Sequence, residues 1–96
     1  MKPSEVFECN RSRIRHIVAA GGMANPRLFG SIVHGEDQEG SDLDLLVDPS
    51  PTTSLLDLAR LQHELETALG IKVDVRTPKF LHESFRARVL AEAAEV

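Results

Sequence analysis

The segment from Ser54 to Gly70 constrains the fold more than any other. Leu55, Leu58, Leu61, Leu65 and Leu69 recur at three- and four-residue spacing, which sets them along one stripe of an α-helix. Ser54, with Asp57 three residues on, resembles a capping box in which Asp replaces the commoner Glu, and Gly70 is placed to end the helix. Two alternating segments flank it: Asp42-Leu43-Asp44-Leu45, running into Leu46-Val47, and Ile71-Lys72-Val73-Asp74-Val75. Both read as strands, whose successive side chains point to opposite faces. A helix with one apolar stripe between two strands predicts an α/β chain.

The rest of the chain adds to this frame. A helix is expected from about Ser4 to Ala20, with Ser4 as N-cap, Glu5 in the first turn, and Phe7, Ile14, Ile17 and Val18 on one face. Gly21-Gly22 ends it, and a start at Asn10 is an open alternative. After Pro26, Arg27-Leu28-Phe29 is short and apolar enough for a strand, and Gly30-Ser31 follows at once. Ile32 to Ser41, with Gly35 and Gly40, reads as a turn or a single helical turn plus loop. Beyond Pro78 a last helix is expected from Leu81 to Ala94, with Phe85 and Val89 marking its buried side. The predicted order is helix, strand, loop, strand, helix, strand, helix.

Size and composition limit what such a chain can do. Its 96 residues suffice for one domain, 1–96, with a radius of gyration of roughly 13 Å. They leave no room for a second domain to hold a large acceptor, so chemistry that needs two surfaces must borrow one from another chain. At 42% hydrophobic and 27% charged, the composition is that of a folded globule. The 11 basic and 15 acidic residues give a net charge of −4, which argues against DNA or RNA as the main partner. Cys9 stands alone, consistent with a reducing compartment, and no His/Cys cluster suggests zinc. A charged N-terminal stretch without an apolar h-region, and the lack of a membrane-length apolar run, predict a soluble, cytoplasmic protein with no membrane partner.

Three acids stand out because they interrupt strands of Leu and Val. Asp42 and Asp44 point to one face and Leu43 and Leu45 to the other; Asp74 repeats the arrangement between Val73 and Val75. If the strands are neighbours, the three carboxylates converge. Two unit charges about 5 Å apart repel by roughly 3 kcal/mol at an effective dielectric near 20, so such a cluster takes up a proton or a cation. Hard oxygen ligands suit Mg²⁺. A D-x-D on a strand is more often a solvated face, and a lone Gly-Ser is more often only a turn. Together, Gly30-Ser31 at the end of a strand supplies a place where phosphate can approach backbone, and the acids supply a cation trap. That combination suits nucleotidyl transfer.

Gly30-Ser31, ten residues, Asp42-x-Asp44 and a later Asp74 resemble the signature of the polymerase-β-like nucleotidyltransferases. The run Leu-Phe-Gly-Ser-x-x-x-Gly, the strand Ser41-Asp42-Leu43-Asp44-Leu45-Leu46-Val47 and the tail from Val73-Asp74-Val75-Arg76-Thr77-Pro78 are similar to the minimal, MNT-type group, the antitoxin partners of HEPN-domain toxins. The resemblance spans essentially the whole chain and implies that group's α/β (α+β) fold, a small mixed sheet with helices packed on it. It implies that Gly30 and Ser31 hold the β- and γ-phosphates of ATP. It further implies that Asp42 and Asp44 bind Mg²⁺, and that Asp74 completes a second metal site and helps activate the attacking hydroxyl. The implied acceptor is a tyrosine of a HEPN toxin encoded by an adjacent gene, silenced by adenylylation.

One position departs from the group: many relatives carry arginine where this chain has His34. Either His34 weakens nucleotide binding or makes it pH-sensitive, or it is a loop residue of little consequence. His16, His63 and His82 read as surface or interface residues, and Arg86 and Arg88 as a solvated helix face, a partner contact or a triphosphate contact. The main alternative to an enzyme is a non-catalytic antitoxin that occludes a HEPN ribonuclease by binding alone. A small-molecule nucleotidyltransferase is disfavoured by the missing acceptor domain. A tRNA-modifying toxin is disfavoured by the acidic charge.

Overall fold

The acid-bearing strands are neighbours. In the computed structural model, which describes Met1–Val96, the chain runs α1 (Pro3–Ala20), β1 (Ala24–Phe29), a 3-10 turn (Gly30–Ile32), β2 (Leu43–Asp48), α2 (Leu55–Leu69), β3 (Val73–Arg76), a second 3-10 turn (Pro78–Phe80), α3 (Glu83–Glu92) and β4 (Ala94–Glu95). The strands form one mixed sheet in the order β3-β2-β1-β4. β2 and β3 are parallel, as a strand–helix–strand crossover requires, while β1 is antiparallel to both β2 and β4.

Alternation along β2 divides the sheet's two faces. Leu43, Leu45 and Val47 are fully buried and join Ile14 and Val18 of α1 and Leu61 and Leu65 of α2 in the main core. Each such side chain contributes about 1.5–3 kcal/mol relative to exposure. Asp44 and Asp48 take the other face with Leu46, which is also fully buried.

α2 has the caps its sequence predicts. Asp57 N–H donates to Ser54 Oγ at 3.2 Å, Ser54 N–H donates to Asp57 Oδ2 at 2.9 Å, and Gly70 is left-handed at φ +72°. The buried stripe begins at Leu58, however; Leu55, in the first turn, is 69% exposed. The polar flank of α2 reaches the outer strand: Val73 N–H donates to Glu66 Oε2 and Val75 N–H to Gln62 Oε1, each at 3.1 Å.

The first helix corrects one expectation and explains another. Ser4 is not the cap: Lys2 takes that place, Pro3 is the first helical residue, and Glu5 accepts from Lys2 N–H. The orphan N–H of Ser4 donates instead to Asp37 Oδ2 at 2.9 Å, a buried acid from the loop before β2. At Asn10 the backbone leaves helical geometry and the side-chain amide donates to Val6 O at 2.7 Å. That break is why Asn10 also reads as a helix start.

β1 begins earlier than expected because Asn25 and Pro26 sit in a bulge, with Asn25 at φ +52°. A bulge is where an inner strand tolerates proline. The last helix is shorter than expected, ending at Glu92, and Ala94–Glu95 turn back to pair with β1. None of its residues is buried, Phe85 is 40% exposed and Val89 is half-buried, so neither marks a core face. No helix is long and apolar enough to cross a membrane.

Candidate active site

The parallel register of β2 and β3 sets Asp44 directly opposite Asp74. On its other side Asp44 faces Phe29, the last residue of β1, which leads straight into Gly30. Gly30 is left-handed at φ +77°, and a Cβ built on it would land on a carboxylate oxygen of Asp44 and 3.0 Å from its Cγ. Glycine is therefore required twice, for backbone conformation and for space. The sequence suggested that this glycine admits a phosphate; the structure shows that it also admits Asp44.

Asp44 is a strained acid. Burial is the largest influence on it, followed by repulsion from Asp74 and then Asp42, and together they raise its pKa to about 6 despite the opposing pull of Arg76. Asp42 lies exposed just before β2. Asp74 is held by Arg76, whose Nε donates to Oδ2 at 3.0 Å. Residues two apart on a strand share a face, so the spacing of Asp74 and Arg76 carries the signal for this pair.

Two clefts lie here, one lined by the Gly30–Ser31 turn and the other by Asp74. One, of about 310 Å³, is lined by Phe29, Gly30, Ser31, His34, Arg88 and Glu92 among others. Across it His34 Nε2 meets Glu92 Oε2 at 3.1 Å, joining the glycine loop to α3. The other, of about 280 Å³, is lined by Leu55, Leu58, Asp74, Val75, Arg76 and Phe80. Leu55 and Phe80 are widely exposed there, and nothing in the sequence marked Phe80 for a site.

Arg86 resolves differently from its sequence reading, whereas His82 lies at the surface as expected. Arg86 donates to Leu81 O at 2.9 Å and Lys79 O at 3.3 Å, so it braces the turn before α3. His82 is the N-cap of α3, its Nδ1 accepting from Ser84 N–H at 3.1 Å, and it stacks on Phe85.

The donor chemistry of the acids fits a hard divalent cation: all oxygens, one of them on a carboxylate whose affinity for a proton is raised by its neighbours. As the side chains stand, no three His, Cys, Asp or Glu groups are close enough together to hold an ion.

Comparison with known proteins agrees with this geometry. The profile of the family described as nucleotidyltransferase domain matches residues 12–96. A chain of Methanocaldococcus jannaschii, provisionally named a protein adenylyltransferase, is 41% identical over 90% of this chain and 92% of its own length. The protein adenylyltransferase MntA of Thermococcus cleftensis is 39% identical over 78% and 76%. Among solved structures, one provisionally described as a minimal nucleotidyltransferase superposes with a TM-score of 0.85 at 39% identity, covering 97% of this chain and 95% of that one. An MNT antitoxin in complex with a tri-AMPylated HEPN toxin of Shewanella oneidensis shares the fold, with a TM-score of 0.70 at 19% identity over 92% and 69%.

Proposed function

The chain belongs to the nucleotidyltransferase domain family, and from that premise we propose that it is an Mg²⁺-dependent protein adenylyltransferase. It moves AMP from ATP to a tyrosine of a HEPN-family toxin encoded beside it, and so acts in the cytoplasm as the antitoxin of the pair. The observation that carries this reading is the meeting of Asp44, Asp74 and Gly30 at one point of the sheet. The names of its relatives supply the acceptor class.

In this reading Gly30 and Ser31 hold the β- and γ-phosphates, and the Ser31 hydroxyl is a donor to them. Asp42, Asp44 and Asp74 are the residues that would hold two Mg²⁺ ions. Bound there, the cations supply charge neutralisation of the triphosphate and of the developing negative charge. The tyrosine oxygen attacks the α-phosphorus, the bond from that phosphorus to the β-bridging oxygen breaks, and diphosphate leaves with the bonding pair. The phenolic proton passes towards Asp74, which lines the cleft opposite the phosphates. Leu55, Leu58, Val75 and Phe80 give that cleft apolar walls, which suit a side chain with an aromatic body and a polar tip.

The bond from Arg76 to Asp74, which engages one of the three acids, favours a second reading, in which the chain neutralises its toxin by binding alone. One experiment divides the two. The neighbouring HEPN protein is co-expressed with this chain or with its Asp42→Ala/Asp44→Ala variant, and its intact mass is measured. Adenylyl increments only with the wild type support transfer. An unmodified partner that co-purifies with both supports occlusion.

A further inference from the structure

We infer that Arg88 is a phosphate-binding residue of the donor nucleotide, approaching the β- and γ-phosphates from the side opposite the Gly30–Ser31 turn. This rests on the nucleotidyltransferase reading of the site and adds to it a residue from a different element.

The first observation is the position of α3. It buries no residue, yet it is tied down at both ends. Arg86 binds the carbonyls of Lys79 and Leu81 before it, and β4 pairs with β1 after it. Near its end Glu92 is bonded to His34. A helix contributing nothing to the core is thus held with Arg88, Val89 and Glu92 along the wall of the cleft that contains Gly30 and Ser31. Residues 88 and 92 are four apart and share that face.

The second observation is what the charged groups lining the cleft bind; Glu36, one of them, is exposed and makes no side-chain bond. Glu92 is engaged by His34. Arg88 has no hydrogen-bond or ion-pair partner in the chain, unlike Arg27, Arg76 and Arg86, each of which has a carboxylate or carbonyl. Guanidinium is permanently charged and presents a planar fork of donors that matches phosphate oxygens two at a time. The cleft, at about 310 Å³, lies near the lower end of ligand sites, roughly 300–1,000 Å³, and so takes part of a nucleotide and not all of it. A permanent cation without a partner, in a small cleft beside a Gly-Ser turn, selects the oligophosphate part.

The test is calorimetric binding of ATP, ADP and AMP, with Mg²⁺ present, to the wild-type chain and to Arg88→Ala and Arg88→Lys. Arg88→Ala is expected to weaken ATP about tenfold, the scale of one lost charge-assisted contact, and to leave AMP within about twofold. Arg88→Lys is expected to recover part of the loss. Because Arg88 has no internal partner, the melting temperatures of all three ligand-free proteins should coincide. Equal ATP affinity in the wild type and Arg88→Ala overturns the assignment while leaving the family reading intact. So does an equal loss for ATP and AMP, or a loss that follows a lowered melting temperature. If the wild type binds none of the three nucleotides, the reading of the site itself fails and Arg88 falls with it.

Discussion

Asp44 occupies the space that any side chain at position 30 would need. The two residues come from the ends of different strands, and the β1–β2 register brings them together by pairing Phe29 with Asp44. The glycine of the turn and the carboxylate of the acid pair are thus one construction.

Gly30→Ala should therefore damage both stability and transfer. A left-handed non-glycine residue costs on the order of 1–3 kcal/mol, and the new methyl must also displace the Asp44 carboxylate. Urea unfolding should show a loss of that size, and AMP transfer should vanish. Gly35→Ala, at φ +69° but with open space around it, should cost stability without abolishing transfer.

Asp44→Asn should make the metal-free protein more stable while inactivating it. The folded-state pKa of Asp44, about 6, lies above its ordinary value of 3.8, so the folded chain binds more protons than the unfolded one between those values. Stability then falls as pH rises from about 4 through 6, and at neutral pH the ionised carboxylate opposes folding. Allowing for its partial exposure, the asparagine variant should gain about 1 kcal/mol at pH 7.5 in EDTA and almost nothing at pH 4. Adding Mg²⁺ should raise the melting temperature of the wild type and leave the variant behind.

Asp37→Ala should show the opposite pH sign. The Ser4 N–H bond holds the Asp37 carboxyl below the usual carboxylate range, outweighing the effect of burial. Its contribution is present at neutral pH and lost as pH falls below about 4 through the folded-state pKa. Removing it should cost about 1 kcal/mol in denaturant melts at pH 7, with the difference shrinking in acid.

Phe80→Ala and Leu55→Asp should separate acceptor from donor. Both residues are mostly exposed, at 54% and 69%, so neither change should move the melting temperature appreciably. Steady-state kinetics should show kcat/KM for the protein acceptor falling about tenfold, the scale of one lost interface anchor, with ATP affinity unchanged.

The His34–Glu92 pair should govern the motion of α3. Both side chains are nearly half exposed, so the bond is worth no more than about 1 kcal/mol. With no buried residue to hold it, α3 should exchange its amide protons earlier than α2 or β2. His34→Ala should speed that exchange, and His34→Arg, which sets a permanent cation opposite Glu92, should slow it.

What was legible in the sequence followed periodicity and caps. Ser54, Asp57 and Gly70 bound α2, and the alternation of Asp42 to Leu45 and of Val73 to Val75 places Asp44 and Asp74 on strands that are adjacent, with Asp42 just ahead of the first and not on it. Less legible was whatever depended on distant partners. Ser4 resembles a cap, but its N–H is met by Asp37 from 33 residues away. Phe85 and Val89 have the spacing of a buried face, but α3 fully buries none of its residues. β4 has no sequence signature, because two residues of pairing carry no pattern. The close approach of Gly30 and Asp44 needs a register that sequence spacing alone does not supply.

Gln62 and Glu66 of α2 have a consequence for how this chain behaves in a crowd. β3 is an outer strand and carries Asp74, and its Val73 and Val75 N–H groups are already engaged by those two side chains. The opposite margin of the sheet is β4, only two residues long. One border is sealed by side chains and the other is too short to template a neighbour, so the sheet offers little purchase for fibril growth from copy to copy.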